Sequence, residues 1–104
     1  MLHLLASVMS GQGRDEKAAV LLECVKQNDP NYNEAPRALS GVYLRLERYE
    51  EAIKMADDAL SDAELDQQFR VALLFIRSHA LWALGRSDDA RAAMNDYIEA
   101  RKHP

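Results

Sequence analysis

The sequence is poor in residues that cross-link or interrupt a chain. Its 104 residues include one cysteine, three prolines and four glycines. A lone Cys24 excludes an internal disulfide, and we expect a partly buried, unreactive thiol there. No apolar run approaches the roughly 20 residues that a membrane-spanning helix needs, and the sequence opens without the basic segment of a secretion signal. We therefore expect a cytoplasmic protein with no membrane partner.

An excess of positive charge is also missing. The formal net charge is −4, and the negative charge is concentrated in residues 33–66, whereas the last third of the sequence is slightly positive. A protein that binds a phosphate backbone normally carries a cluster of Lys and Arg on one face. The charge balance therefore argues against nucleic acid as a partner.

Candidate catalytic and metal-binding groups are few. The histidines are far apart in the sequence, at His3, His79 and His103. None has a His or Cys four residues away, which argues against a metal site. The motif Gly11-x-Gly13 lacks the third glycine and the preceding strand of a nucleotide-binding loop, and no nucleophile is paired with a base in a recognisable pattern. We expect no catalytic residue, no cofactor and no metal.

Small and apolar residues recur at a nearly constant period. A shift of thirty-four residues relates a first stretch to a second, and a shift of thirty-eight relates the second to a third. The four extra residues correspond to about one helical turn. The register is marked by Ala18, Ala52 and Ala90. Each copy has two runs with helical apolar periodicity, which indicates an antiparallel helix pair with a small residue at the close approach.

Several short signals predict where these helices end. The segment of residues 28–31, which contains Pro30, is expected to end a helix, and Gly11-x-Gly13 is expected to form the turn of the first pair. The pattern Ser61-x-x-Glu64 matches a capping box and is expected to open a long first helix in the third copy. Gly85 is expected to end that helix. No segment reads as a strand.

These residues resemble the tetratricopeptide repeat, TPR, whose pattern combines W-x2-L-G-x2-Y, A-x3-F and P. The second copy matches best, with Leu39-Ser40-x-x-Tyr43, Ala52 and Ala59-Leu60. The third has Leu84-Gly85-Arg86 and Ala90 but carries Arg77 where the family buries a leucine. The resemblance implies an all-α fold of three stacked TPR-type helix-turn-helix hairpins that form a right-handed α-solenoid segment. It implies one domain, residues 1–104, with repeats of about 1–32, 33–66 and 67–104.

The resemblance also implies a binding surface, because the first helix of each TPR pair lines a concave groove. Carried over residue by residue, the groove comprises His3, Ser7, Arg37, Gly41, Leu44, Arg45, Phe75, His79 and Trp82. Small residues between apolar walls would admit a peptide or an amphipathic helix. The helical spacing of Phe75 and Trp82 would also suit an ordinary core face. The Lys and Asn clamp with which some TPR domains hold chaperone tails is absent.

The end of the third copy predicts a second surface. No further helix follows residues 101–104, so the outer face of the last helix has no capping element. Four residues on that helix are expected to face solvent unless another molecule covers them: Ala93, Met94, Tyr97 and Ile98. Exposed apolar patches usually mark interaction sites. We therefore expect an oligomer or partner face here.

Three short segments resemble the small cytosolic TPR chaperones of bacterial type III secretion, namely Ala18-x-x-Leu21-Leu22, Asp88-Asp89-Ala90-Arg91 and Tyr97-Ile98. This resemblance implies a non-catalytic protein-protein interaction module that holds an export substrate in its groove. Two alternatives stay open. The chain could be a homo-oligomerising structural adaptor, or a fragment of a larger TPR regulatory protein.

Overall fold

The part of the protein that the structure describes consists mainly of α-helices. The computed structural model describes residues 2–32 and 34–102, with side chains from Gly13 onward. Its helices are α1 (Leu2–Asn28), α2 (Glu34–Arg45), α3 (Tyr49–Leu60), α4 (Gln67–Ala83) and α5 (Ser87–Lys102). These ranges contain no strand, which confirms the all-α prediction. None of the helices in these ranges has the length and apolar character needed to cross a bilayer.

The helices pack in the order in which they occur in the sequence. Each helix contacts the next, and α4 also reaches back to α2. The largest cluster of buried residues includes Leu39, Tyr43, Ala52 and Met55, with Ala19 from α1 and Ala80 from α4 at its two sides. Such nearest-neighbour stacking is typical of a solenoid. The prediction of a TPR-like α-solenoid is therefore confirmed.

The first predicted hairpin does not form. Residues 2–28 are one continuous helix, so Gly11 and Gly13 lie inside α1 rather than in a turn, and the prediction of a hairpin in repeat one was wrong. A glycine inside a helix costs only about 1 kcal/mol relative to alanine. The apolar spacing on either side of the two glycines suits a straight helix as well as a bent one. The predicted end of this helix at Asn28 is correct.

The predicted start of α4 is also wrong. Ser61 does not open a helix. It follows α3 directly, and its hydroxyl donates a hydrogen bond to the carbonyl oxygen of Asp58 at 2.6 Å. The helix begins six residues later, at Gln67, after Asp66. The intervening loop is held by Leu65, which packs against the buried cluster of Ala56, Ala59 and Leu73. Tertiary burial of Leu65 thus prevails over the local capping signal.

The turns of the two hairpins, α2–α3 and α4–α5, have the same geometry. After α2, Glu47 has φ 60°, and thirty-eight residues later Gly85 has φ 77°. The amide of Arg48 donates to the carbonyl of Tyr43 at 2.9 Å, and the amide of Arg86 donates to that of Leu81 at 3.0 Å. This left-handed residue followed by a bond back into the last turn is the Schellman motif.

Arg77 keeps the register of repeat three although it replaces a leucine. Its counterpart Leu39 is fully buried, whereas Arg77 is half-buried and places Nε 3.0 Å from Asp57 Oδ1 on α3. Nε is buried, and the geometry of this ion pair falls short of a hydrogen bond. Ser40 and Ser78, the next residues in each helix, are both buried and donate to the carbonyl three residues earlier, at 2.8 and 2.9 Å. The two helices therefore carry the same face inward.

Candidate functional site

A cleft of about 330 Å³ opens between α4 and α5. It is lined by Phe75, Ser78, His79, Trp82, Ala90, Arg91 and Met94. We call it the α4–α5 cleft. Apolar atoms dominate its lining, which is usual for surfaces that bind a ligand or a partner.

Small buried residues form the floor of the cleft and bring the two helices together. Ser78 and Ala90 are almost completely buried, and the Ser78 hydroxyl is satisfied by the carbonyl oxygen of Phe75. Because neither side chain fills the space between the helices, a cleft remains above them, and the larger side chains surround its opening. The repeat pattern therefore creates the cleft, since small residues recur at these positions.

The rim of the cleft carries exposed aromatic and apolar side chains. Trp82 is 62% exposed, Phe75 44% and Met94 39%. The Phe75 ring lies 5.6 Å from the ring of Tyr97 and 6.0 Å from that of His79, centroid to centroid, so the rim is preassembled. Large exposed aromatic side chains grouped in this way are typical of binding hot spots.

Arg91 was missed by the sequence analysis and supplies the one permanent charge among the lining residues. It lies on α5, and its counterpart thirty-eight residues earlier is Ile53. The structure's ion pairs engage other arginines, among them Arg45, Arg77 and Arg86. The signal that would have identified Arg91 is the replacement of an apolar residue by a charged one at an equivalent repeat position.

The predicted groove is only partly assembled. Its α4 members, Phe75, His79 and Trp82, come together in the cleft, but the four members on α2 do not border it. His3 and Ser7 lie outside the residues whose side chains the structure describes. The groove therefore remains a prediction. Of its members, Phe75, His79 and Trp82 on α4 also belong to the α4–α5 cleft.

The α2 members make contacts within the chain instead. Arg45 forms an ion pair with Asp15 of α1 at 3.1 Å, and the Arg37 guanidinium lies 3.8 Å from the centre of the Phe69 ring. Leu44 is half-buried against the main core. Gly41 is half-buried as well, and an added methyl group there would meet only the Arg45 guanidinium, at 3.8 Å. Arg45 therefore links α2 to α1, and Arg37 links α2 to α4.

The predicted partner face differs from expectation at one residue. Ala93 is fully buried against Leu81 and Ala90, so the expectation that it faces solvent was wrong. Its small side chain lies on the side of α5 that contacts α4. Met94 and Ile98 are exposed, at 39% and 42%, and Tyr97 is half-buried beside Phe75. Met94 therefore joins the predicted face to the α4–α5 cleft.

Two other possible sites are a metal-binding cluster and the single cysteine. Among the side chains that the structure describes, residues 13–32 and 34–102, no group of three or more His, Cys, Asp or Glu is placed to hold a metal ion. Cys24 is exposed, contrary to the expectation of a partly buried thiol. The same side of α1 exposes Val20 and Leu21, at 63% and 66%.

A family comparison bears directly on the hairpin that contains the cleft. The family model described as tetratricopeptide repeat matches residues 71–104. This part of the chain is therefore similar to a tetratricopeptide repeat, TPR. The TPR includes most of α4 and all of α5, and therefore every residue that lines the cleft. No match was found among curated proteins or among solved structures. TPRs are typically non-catalytic and generally bind other proteins.

Proposed function

We propose that this chain is a non-catalytic protein-protein interaction module that binds an amphipathic helix of a partner protein in the α4–α5 cleft. The observation that carries the proposal is the exposure of Trp82, which is 62% accessible on the rim of an apolar cleft within the TPR. A single exposed apolar side chain would need no explanation, whereas Trp82 beside Phe75 and Met94 forms a continuous apolar surface of the kind that marks an interaction site.

The α4–α5 cleft suits a helix better than an extended strand. It runs between two antiparallel helices whose exposed backbone groups are already hydrogen-bonded, so it offers no edge for strand addition. A partner helix would place apolar residues three and four positions apart onto the Phe75, Trp82 and Met94 side chains. Most of the binding free energy would come from these few aromatic and apolar contacts.

The test compares two substitutions of the same kind on different surfaces. Trp82→Asp places a charge on the rim of the cleft, and Leu21→Asp does so on α1, at a side chain of similar exposure, 66%. We expect a partner captured by the wild-type protein to be lost with Trp82→Asp, with an affinity at least about thirtyfold lower, as for a hot-spot residue. The same partner should be retained with Leu21→Asp.

The affinity should be measured with the purified partner. Trp82 is the only tryptophan in the chain, so its fluorescence should shift to shorter wavelength when a helix covers it. Circular dichroism should show equal helicity in both variants. Retention of the partner by Trp82→Asp, or its loss with Leu21→Asp alone, would place binding elsewhere and contradict the proposal.

A specific form of this function is an export chaperone of the type III secretion kind, acting in the cytoplasm. It is supported by the resemblance of three short segments, including Asp88-Asp89-Ala90-Arg91, which opens α5 beside the cleft. In this form the bound helix belongs to a substrate that aggregates when it is free. Co-expression should then keep such a substrate soluble with the wild-type chain but not with Trp82→Asp. A substrate that stays equally soluble with both would eliminate this form.

A homo-oligomerising adaptor is the second candidate, because Met94 belongs both to the cleft and to the predicted partner face. In that case the apolar face of another copy covers the exposed Ile98 and Met94 side chains. Light scattering at increasing concentration separates the two candidates. A dimer that Ile98→Asp dissociates would favour the adaptor, and a monomer at tens of micromolar would favour the helix-binding module.

A further inference from the structure

The α2–α3 hairpin binds a helix, α4, on the surface that corresponds by repeat position to the exposed surface of the α4–α5 hairpin. In the α2–α3 hairpin, the surface that receives α4 is formed by Arg37, Ile53, Ala56, Ala59 and Leu60. We call this the covered surface. Thirty-eight residues later, the α4–α5 hairpin has Phe75, Arg91, Met94, Tyr97 and Ile98 at the equivalent positions. We call this the open surface. The equivalence is supported by the matching turns and by the two buried serines described above.

The covered surface shows how a helix lies on such a hairpin. Ala59 and Ala56, late in α3, meet Leu73, which lies in the first half of α4. Ile53, early in α3, packs against the cluster that contains Leu81, near the end of α4. These contacts run in opposite directions along the two helices, so α4 is antiparallel to α3. A helix on the open surface would, by the same geometry, run antiparallel to α5.

The two surfaces differ in charge at one position. Ile53 is half-buried and packs against apolar residues of both hairpins. Its counterpart Arg91 lies exposed on the wall of the α4–α5 cleft. If a docked helix covered Arg91 as α4 covers Ile53, the guanidinium would lose water, and a buried charge is strongly unfavourable unless it is paired. A covering helix that brings an acidic side chain to this position would offset that cost, and a basic one would increase it.

We infer that the partner helix docks on the open surface as α4 docks on the covered surface, antiparallel to α5, with an acidic residue near its C-terminal end paired to Arg91. This inference rests on the proposed function and adds the direction and charge of the partner. The aromatic side chains would supply contact area, and the Arg91 pair would fix the register. Bidentate pairing with a carboxylate is the geometry that a guanidinium favours.

The covered surface also supplies the probe for a test. A synthetic peptide with the sequence of residues 67–83, the α4 helix, presents the face that packs on such a hairpin. Trp82→Phe in the peptide leaves the protein's Trp82 as the only tryptophan in the mixture. Ala80 of α4 is fully buried in the same core cluster that Ile53 packs against. One peptide therefore carries Ala80→Glu, and a second carries Ala80→Lys.

We expect the glutamate peptide to bind the wild-type protein about tenfold more tightly than the lysine peptide, as close charge pairs at interfaces do. The protein variant Arg91→Glu should reverse this order. Binding is measured from the change in Trp82 fluorescence. The exposed position of Arg91 makes the variant compatible with folding, which circular dichroism verifies. A single order of affinity for both proteins would overturn the inferred charge pair.

The direction of docking is tested with a short-range fluorescence quencher on either end of the glutamate peptide. Leu44, the counterpart of Trp82, lies at the end of α2, close to the start of α3. By the equivalence, the C-terminal end of the docked helix lies nearer Trp82, so the quencher should be more effective there. A helix of seventeen residues is about 25 Å long, which separates the two cases. Stronger quenching from the N-terminal end would overturn the inferred direction.

The outcomes distinguish this inference from the function on which it rests. If the peptides change Trp82 fluorescence but show no dependence on Arg91 or on direction, the cleft binds helices and the inference fails. If none of the peptides changes Trp82 fluorescence, helix docking in the cleft fails as well. Self-association that Trp82→Asp abolishes would show that a second copy covers the surface, and would also overturn the inference.

Discussion

The α2–α3 and α4–α5 hairpins have the same turns but different surroundings. α2–α3 lies between α1 and α4, and its contact positions are small, with Ala56 and Ala59 buried. α4–α5 has α3 and α2 on one side, and its equivalent positions carry the larger Met94 and Tyr97. Small residues therefore occur where a helix of the same chain lies close, and large apolar residues where the described chain provides no cover. Two hairpins of similar backbone geometry therefore differ in role: α2–α3 packs against α4 within the chain, and α4–α5 presents a candidate docking surface.

Exchanging one pair of equivalent residues between the two hairpins should have the largest effect on stability. Ala56→Met adds a long side chain where Ala56 is fully buried beneath Leu73 of α4. We expect the free energy of unfolding to fall by about 1–3 kcal/mol, because an overfilled core displaces the helix. Urea denaturation followed by circular dichroism measures this change.

The reverse exchange, Met94→Ala, is the matched control. Met94 is 39% exposed, so its truncation should change the free energy of unfolding by less than about 1 kcal/mol. Equal losses from the two substitutions would show that the α4–α5 hairpin is covered as tightly as α2–α3, and the contrast between the hairpins would not hold.

The two turns provide a second comparison. Gly85 has φ 77°, and a methyl group added there would meet nothing within 4 Å, so Gly85→Ala tests the backbone conformation alone. We expect a loss of about 1–2 kcal/mol, the cost of placing a side chain in the left-handed region. Glu47 already bears that cost at φ 60°, so Glu47→Gly should stabilise the protein by up to about 1 kcal/mol. Thermal unfolding that shifts in the same direction for both variants would contradict the equivalence of the turns.

Another difference between the hairpins is Tyr43, whose counterpart is Leu81. Burial and the hydrogen bond that its hydroxyl donates to Glu23, at 2.6 Å, raise the pKa of Tyr43 well above its ordinary value near 10. Tyr43→Phe removes this bond between α2 and α1, at a cost of about 1 kcal/mol near neutral pH.

The same substitution changes the pH dependence of stability at alkaline pH. In the unfolded chain Tyr43 ionises near pH 10, whereas in the folded chain it stays protonated to higher pH. The stabilisation from Tyr43 is therefore complete below about pH 10 and is lost as the pH rises above it. Urea titrations between pH 9 and pH 11 should show a steeper loss for the wild type than for Tyr43→Phe. Parallel curves would mean that the hydroxyl is not protected from ionisation.

The hairpins could be predicted from the sequence because their signals are local and agree with one another. Ala52 and Ala90 are buried at the helix crossings, and Gly85 follows the end of α4 with positive φ. A small residue at a crossing and a glycine after a helix end have direct physical causes, close approach and left-handed backbone. The helix start predicted at Ser61 was wrong, because the local capping pattern there competes with the burial of Leu65 against the core. The burial of Leu65 prevails, and α4 begins at Gln67 instead.

The candidate site could be predicted only in part. Phe75, His79 and Trp82 were identified from the repeat register, and the structure brings them together in one cleft. Arg91 was not assigned to the groove because it lies on the second helix of its pair, whereas the groove was predicted from first helices and the face on α5 from its apolar residues. Arg37 and Arg45 were assigned to the groove although each contacts another helix of the chain. A pattern along one helix does not show which neighbouring helix each side chain meets.

The amino-acid sequence was sufficient to predict the helical class, the α2–α3 and α4–α5 hairpins and the helix end at Gly85, because these depend on interactions between residues close together in the chain. Three features became evident only from the folded structure: α1 continues as one helix through its two glycines, Ala93 is buried whereas Met94 is exposed, and the cleft opens between α4 and α5. The physical reason is that straight and folded-back forms of α1 satisfy the same local periodicity. Only packing between helices distant in the chain distinguishes a covered surface from an open one.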